Sequence, residues 1–357
     1  MSLYRLTAAS PLIPAYKMSV SFNKIYGNDL LKRVFSESIE NGKLPHAMIL
    51  SGEKGSGRYS FALNIAAASL CTASDKPCGS CKNCRQIFEG VAPDVMTVSL
   101  PEDKATVSVE SVRFIKSDAQ NVPVESDLKY YIIRDADKMT VQAQNALLKI
   151  LEEPPSFVIF VLICENENLL LPTIRSRACV FRMQRFEDEE LARYVVSVNA
   201  DAQSLLASDE ALFNRIMKSA NGCIGAVLGN LNKQNINRIR NEYQNINHML
   251  TALFGNNKAE YLSFEDELPS KREELRAFLF VFRNSVRDIL SVKKGSSSDL
   301  LFFEGSEDIK KISKTATLLS VVSLLDVIDE ALNANEQNAN INLLRINLMN
   351  TMWKCIH

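Results

Sequence analysis

The sequence predicts an α/β domain with a parallel sheet and helices on both faces, followed by a small helical domain and a larger all-helical domain. Three observations support this prediction. Between residues 20 and 183, short apolar runs alternate with segments of helical composition, a pattern typical of a parallel sheet covered on both faces. A glycine-rich turn follows the first apolar run. After about residue 183, only helical patterns follow.

The elements of the α/β part are predicted from apolar runs and helix signals. The four predicted strands are residues 46–52, 94–100, 129–135 and 156–164. Residues 58–71 have the alanine-rich composition of a helix. A second helix, residues 140–153, begins at Thr140, a favourable N-cap, and ends before Pro154, which cannot continue a helix.

Changes in pattern also set the predicted domain boundaries. The four segments are an N-terminal extension at 1–19, the α/β domain at 20–183, the small helical domain at 184–235 and the large helical domain at 236–357. The sequence does not tell whether the extension is native. The extension lacks the charged start, apolar core and cleavage site of a secretion signal. We interpret it as a loose segment and exclude it from the fold prediction. The last helix places apolar residues on one face, which predicts core or subunit packing. They are Ile341, Leu344, Leu348 and Met352.

Composition limits the class of protein. With 357 residues, 46% of them hydrophobic and 23% charged, the chain is typical of a soluble protein of two or three domains. The net charge of −1 gives no whole-chain attraction to nucleic acid or membrane. No apolar run is long enough to span a bilayer, because the best, residues 157–164, has the length of a strand. We expect a cytoplasmic protein.

Four of the eight cysteines cluster within the segment 71–84. They are Cys71, Cys78, Cys81 and Cys84. Four thiolates can enclose a zinc ion tetrahedrally, and Pro77 and Gly79 permit the sharp turns that this needs. All four positions would be filled, so the predicted zinc is structural. Two alternatives remain. One is an iron–sulfur cluster, which is weaker because nothing else in the sequence indicates electron transfer. The other is four unrelated free cysteines.

The stretch "SGEKGSGRYS" at 51–60 resembles a phosphate-binding loop with two substitutions. Gly52, Gly55 and Gly57 permit the backbone to wrap a phosphate. Arg58 occupies the lysine position of that loop, and Tyr59 occupies the position of the hydroxyl that binds magnesium. Nucleotide binding and its loss are both compatible with this loop, and so is a turn that never bound nucleotide.

The strand that should hold magnesium carries a third substitution. In nucleotide hydrolases this strand ends in an aspartate that helps to hold the metal. Here "YYIIRDADK" has Arg134 in that position and Asp135 after it. Three substitutions therefore fall on magnesium-assisted phosphoryl transfer, and we expect no hydrolysis.

Residues 144–178 are very similar to the core of the bacterial clamp-loader ATPases, a branch of the AAA+ family. The run N-A-L-L-K-x-L-E-E-P-P of that family matches residues 145–155, and its Ser-Arg-Cys motif corresponds to 176–178, where Ala178 replaces the cysteine. Residues 22–28 resemble the segment on the adenine side of the family's nucleotide site, and the four-cysteine segment is also a feature of the family. The resemblance covers roughly residues 20–235; the remainder fits the family's helical oligomerisation collar.

The substitutions distinguish two kinds of subunit within this family. Motor subunits, gamma and tau, have intact nucleotide loops, whereas delta-prime has lost the hydrolysis residues and keeps the Ser-Arg motif. This chain differs from the motor pattern at Arg58, Tyr59 and Arg134, and it has Gly225 where a motor carries a second-sensor arginine. The resemblance therefore implies a delta-prime-like subunit without intrinsic ATPase activity. It would work within the DNA polymerase III holoenzyme, a DNA-directed DNA polymerase and nucleotidyltransferase.

The resemblance also implies a role for Arg177 and a set of partners. Arg177 would act in trans, in the active site of a neighbouring gamma or tau subunit. Other implied partners are the delta subunit and, through the assembled complex, the sliding clamp and primer–template DNA, with no membrane partner. Lys149 and Arg175 are candidate DNA contacts.

Three other interpretations compete with this one. Without the resemblance, Arg177 would be taken for an ordinary surface or ion-paired arginine. The chain could instead be an active gamma/tau-like ATPase motor in which Arg58 replaces the lysine. It could also be a zinc-bearing nucleic-acid binder, against which the near-neutral charge argues.

Overall fold

The structure, a computed structural model, describes residues 20–23, 25–99, 106, 109–296, 300–303, 308–337 and 339–357. The predicted extension 1–19 lies outside the described residues. Two compact units make up the chain, one ending at Phe186 and the other spanning Glu187–His357. No helix in these described ranges is long and apolar enough to cross a membrane.

The first unit is a parallel sheet with helices on both faces, as predicted. Its strands are β1 (Ala47–Ser51), β2 (Val95–Val98), β3 (Lys129–Ile133), β4 (Val158–Cys164) and β5 (Cys179–Arg182). The order across the five-stranded sheet is β2-β3-β4-β1-β5, and each neighbouring pair is parallel. The helices are α1 (Asp29–Glu40), α2 (Arg58–Leu70), α3 (Lys82–Glu89), α4 (Val109–Asp118), α5 (Val141–Glu152) and α6 (Pro172–Arg175).

Alternate strand residues supply two separate cores, because successive side chains of a strand point to opposite faces. Met48 and Leu50 of β1 pack in the core formed with α1, α2 and α3. Ala47 and Ile49 of the same strand pack in the core formed with α4, α5 and α6. Strands buried on both faces explain why the sequence shows continuous apolar runs there.

An ion pair between buried Lys129 of β3 and partly exposed Asp118, the last residue of α4, joins the sheet to that helix. Lys129 Nζ lies 2.8 Å from Asp118 Oδ2, and the Tyr131 hydroxyl donates to the same oxygen at 2.7 Å. Burial by itself raises the pKa of the Asp118 carboxyl, but Lys129 and Tyr131 outweigh it and hold that pKa below its ordinary value of 3.8. The ionised carboxylate is therefore more stable in the folded chain than in the unfolded one.

We expect Asp118→Asn to lower the free energy of unfolding by about 3 kcal/mol at pH 7, because it leaves the Lys129 charge buried and unpaired. Since the folded pKa is lowered, this contribution is complete above the unfolded pKa, about 3.9. It is lost as the pH falls through the folded pKa. Urea unfolding between pH 7 and pH 3 measures the difference, with Asp127→Asn, at an exposed carboxylate, as control. If Asp118→Asn lowered the free energy of unfolding equally at pH 7 and pH 3, the ion pair would not be the source of the loss.

The second unit contains only helices among its described residues. They are α7 (Asp188–Val198), α8 (Ala200–Ser208), α9 (Glu210–Ser219), α10 (Ile224–Asn230), α11 (Lys233–Phe254), α12 (Lys258–Ser263), α13 (Arg272–Lys293), α14 (Asp308–Thr315), α15 (Leu318–Glu336) and α16 (Ile341–Ile356). The predicted boundary at 235/236 falls in the first turn of α11. The division of this unit into a small and a large helical domain stays a prediction.

The main core of this unit is drawn from α11 to α16. Leu348 and Met352 are buried in it, and Ile341 and Leu344 pack against it, which confirms core packing for the predicted face of the last helix. Within this core, the fully buried Asp288 carboxylate accepts hydrogen bonds from three successive backbone N–H groups, those of residues 301–303. These bonds satisfy a buried charge and fix the segment before α14.

Candidate functional site

The glycine-rich loop joins β1 to α2 and has the backbone of a tight wrap. Gly52, Gly55 and Gly57 have φ values of 155°, 89° and 85°, and Gly57 is the N-cap of α2. A Cβ on Gly52 would lie 3.0 Å from the Met183 side chain and from Ser56 Oγ, so a larger residue would require these side chains to shift. The three predicted glycines therefore lie in backbone conformations that other residues rarely adopt.

The charged side chains around this loop are engaged with one another. Arg58, whose side chain is 11% exposed, has Nη2 4.0 Å from Glu165 Oε1, just beyond the end of β4. Glu53 within the loop forms an ion pair with Arg185, which lies beyond β5. The loop is thus held by contacts within its own unit at both ends.

Arg134 and Tyr59, the two residues that the sequence predicted at magnesium-binding positions, contact each other directly. Arg134 follows β3, and its guanidinium carbon lies 4.6 Å from the centre of the Tyr59 ring, a cation–π contact. The Tyr59 hydroxyl lies 3.4 Å from Thr97 Oγ1 of β2. A cation and an aromatic ring therefore occupy the two positions at which the sequence comparison with phosphate-binding loops expects a carboxylate and a short hydroxyl. Sequence reasoning placed the two residues in one site but did not predict their contact.

The four clustered cysteines converge as predicted. Cys71 lies at the end of α2, Cys81 is the N-cap of α3, and Cys84 lies within α3. All four sulfur atoms lie within 4.8 Å of one another, and the sulfurs of Cys71 and Cys81 are 3.9 Å apart. Four sulfurs placed 2.3 Å from a tetrahedral zinc would be about 3.8 Å apart. The cluster could therefore bind a metal ion.

Hydrogen bonds favour the thiolate form of Cys78, whereas burial opposes it at Cys71 and Cys84. The N–H of Cys81 and the Ser80 hydroxyl donate to the Cys78 sulfur and lower the pKa of Cys78 to about 5. Burial raises the pKa of Cys71 and of Cys84, where sulfur is enclosed by protein. A bound cation would offset that burial and deprotonate both.

Arg177 lies in the turn between α6 and β5, with its side chain 34% exposed. Its Nη2 lies 2.6 Å from Glu152 Oε1, at the end of α5. Its Nη1 donates to the Thr173 carbonyl at 3.0 Å and to Ser176 Oγ at 3.3 Å. The Ser-Arg-Cys motif located this arginine, but the sequence analysis gave no role to Glu152, which lies in the run 145–155.

Strand register places Arg177 away from the glycine-rich loop of its own chain. The loop begins after Ser51, which pairs with Arg182 at the end of β5, whereas Arg177 precedes the start of β5 at Cys179. Strands of a parallel sheet begin at one edge and end at the other, and β5 spans about 13 Å at 3.3 Å per residue. Arg177 and the loop therefore lie at opposite edges of the sheet.

The remaining predicted residues are placed as follows. Lys149 is exposed on α5, and Arg175 Nη1 donates to Asn168 Oδ1 at 2.9 Å. Gly225 is the second residue of α10. Gly27 on the predicted adenine-side segment has φ 58°, and an added Cβ there would lie 2.1 Å from the Phe186 ring. Gly27 is therefore packed closely against Phe186, which follows β5.

The chain is similar to known subunits of DNA polymerase III. The model of the family described as DNA polymerase III, delta subunit matches residues 27–187. DNA polymerase III subunit delta' of Bacillus subtilis is 27% identical over 330 residues, which cover 91% of this chain and 96% of that protein. DNA polymerase III subunit gamma of Buchnera aphidicola subsp. Schizaphis graminum is 30% identical over 226 residues, 61% of each chain.

Two solved structures match this chain at low identity and low TM-score. A DNA polymerase III gamma subunit-related protein from Thermotoga maritima matches with a TM-score of 0.45 and 20% identity, over 91% of this chain and 98% of that one. The Bacillus subtilis DNA clamp loader delta protein matches with a TM-score of 0.34 and 13% identity, over 90% and 99%. The likeness to the delta' sequence extends over nearly the whole of both chains, so this chain is similar throughout to subunit delta' of bacterial DNA polymerase III.

Proposed function

We propose that the chain is a non-hydrolysing wall of the clamp-loader ring that supplies Arg177 to the active site of a neighbouring motor subunit. The observation that carries this proposal is the position of Arg177, on the sheet edge opposite the glycine-rich loop of its own chain. From that edge it cannot serve a phosphate on its own loop. The Arg177 side chain would instead enter the nucleotide site of a neighbouring subunit that faces this edge.

The contacts around the loop support the absence of hydrolysis. Magnesium needs oxygen ligands, and the two positions that would provide them hold a tyrosine ring and a guanidinium in mutual contact. A cation brought to this place would meet the positive charge of Arg134. Arg58 retains a charge near the phosphate position but lies beside Glu165, which partly offsets it.

In trans, Arg177 has the chemistry that phosphoryl transfer requires. A guanidinium near the transferred group stabilises the negative charge that develops on its oxygens. Its planar fork of donors also suits phosphate better than a lysine ammonium does. Motor subunits of the gamma/tau type and a delta subunit would be the ring partners, and the sliding clamp and primer–template DNA would be reached through the complex.

The cysteine cluster completes the proposal as a structural zinc site. Four sulfur donors fill a tetrahedral zinc and leave no open position for water or substrate. The zinc would tie the end of α2 to the start of α3 and fix the loop between them. Its function would be stability of this segment, with no part in the chemistry of ATP.

Steady-state turnover of ATP by the purified chain, with magnesium, tests the absence of hydrolysis. We expect no turnover above a reagent blank, and we expect Arg58→Ala to leave that result unchanged. The competing interpretation is an active gamma/tau-like motor in which Arg58 replaces lysine. Turnover by the chain alone that disappears with Arg58→Ala would establish that interpretation and overturn ours.

A further inference from the structure

The guanidinium of Arg177 is held at three points. Glu152 Oε1 lies 2.6 Å from Nη2, and the Thr173 carbonyl and Ser176 Oγ accept from Nη1 at 3.0 and 3.3 Å. Among the described residues, Nε has no hydrogen-bond partner. The side chain is thus fixed in direction while one of its nitrogens stays available for a further acceptor.

The carboxylate that holds Arg177 is itself carried by a well-anchored helix. Glu152 is the last residue of α5, directly after Leu151, which is 1% exposed in the core. Gln144 in the same helix, 3% exposed, accepts from the Leu171 N–H at 2.7 Å and donates to the Leu169 carbonyl. These bonds fix α5 to the segment that leads into α6. The separation of Glu152 and Arg177 is therefore set by rigid elements.

The ion pair itself contributes little to stability. Both side chains are partly exposed, 34% for Arg177 and 48% for Glu152, and such pairs contribute about 0–1 kcal/mol. Orientation is a different matter, because a displacement of about 1 Å at a catalytic group can lower a rate about 100-fold. A free arginine side chain adopts many rotamers, and only some would reach across an interface. The ion pair therefore affects the orientation of the Arg177 side chain more than it affects stability.

We propose that Glu152 is a positioning residue, which holds the Arg177 guanidinium in the direction that reaches the neighbouring subunit's phosphoryl group. This inference rests on the proposed trans role of Arg177. Glu152 accepts from Nη2, and the available Nε–H donates to a phosphate oxygen. The opposite effect, in which Glu152 competes with phosphate for Arg177, would give a rate change of opposite sign.

A double-mutant cycle in the reconstituted clamp loader tests this inference, with kcat and KM for ATP as the measured quantities. We expect Glu152→Ala to lower kcat by about 10-fold with KM unchanged. Glu152→Gln keeps an acceptor oxygen and should retain most of the rate. Glu153→Ala, at the adjacent exposed carboxylate, is the matched control and should equal wild type. In the Arg177→Ala background, Glu152→Ala should cause no further loss.

The outcomes separate the two proposals. If Arg177→Ala leaves kcat unchanged, the trans role fails, and the role of Glu152 fails with it. If Arg177→Ala lowers kcat while Glu152→Ala leaves it unchanged or raises it, only the positioning role is overturned. An equal loss from Glu152→Ala with and without Arg177 would show that Glu152 acts on the fold and would likewise overturn it.

Discussion

Replacement of Arg177 by alanine is expected to lower ATP turnover by the reconstituted clamp loader at least about 100-fold at the site that this chain completes. The loss should appear in kcat, because the guanidinium acts on charge that develops in the transition state. Arg177→Lys keeps the charge but loses the planar fork and should restore only a small part of the rate. If other motor sites in the ring hydrolyse ATP independently, single-turnover kinetics separates the slow hydrolysis at this site from hydrolysis at the others.

Arg182→Ala is the matched control for this variant. Arg182 is also an exposed arginine with a carboxylate partner, since its Nη2 lies 2.6 Å from Glu167 Oε1, but it lies at the opposite end of β5. We expect it to retain the wild-type rate. Equal effects of the two variants would indicate a general loss of positive charge and would contradict a specific role for Arg177. Thermal unfolding of each variant checks that the fold is intact.

Replacement of Cys84 by serine is expected to abolish metal binding. Purified wild type should contain one zinc per chain, and Cys84→Ser should contain none, because the buried sulfur supplies one of four required ligands. Structural zinc sites bind with about 10–16 kcal/mol, and much of that energy supports folding. We therefore expect the segment from α2 to α3 to lose its protection from hydrogen exchange, and the midpoint of thermal unfolding to fall by several degrees.

The control for this variant is Cys164→Ser, since Cys164 is equally buried but lies in β4, outside the cluster. It should keep one zinc per chain, whatever its effect on stability. Elemental analysis of both proteins after exhaustive dialysis gives the stoichiometry. Full zinc content in Cys84→Ser would contradict the four-sulfur site. Iron and sulfide in the wild type would establish the iron–sulfur alternative.

The sheet and its two cores could be predicted from the sequence because strands buried on both faces leave continuous apolar runs, as in β4. The strand β5 could not be predicted. It has only four residues, two of them partly buried and two exposed, so it lacks that apolar signal. The order β2-β3-β4-β1-β5 also depends on contacts distant in sequence, which no local pattern encodes.

The candidate site likewise has features that the sequence predicts and features that only the structure shows. Cysteine spacing was enough to predict that the four sulfurs converge, since all lie within one short segment. The stacking of Arg134 on Tyr59 and the pairing of Arg177 with Glu152 join elements far apart in sequence. Motifs identify such residues, but only the register of the sheet shows that Arg177 and the glycine-rich loop lie at opposite edges.

The most direct test of the account is ATP turnover measured for the gamma-type motor with the delta subunit, for this chain alone, and for the complete mixture, at equal motor concentration with clamp and primed DNA. The account predicts no turnover by this chain alone and a rate in the mixture well above the sum of the separate rates. A mixture that equals the sum would contradict it, because a chain that completes a neighbour's active site must raise that neighbour's rate.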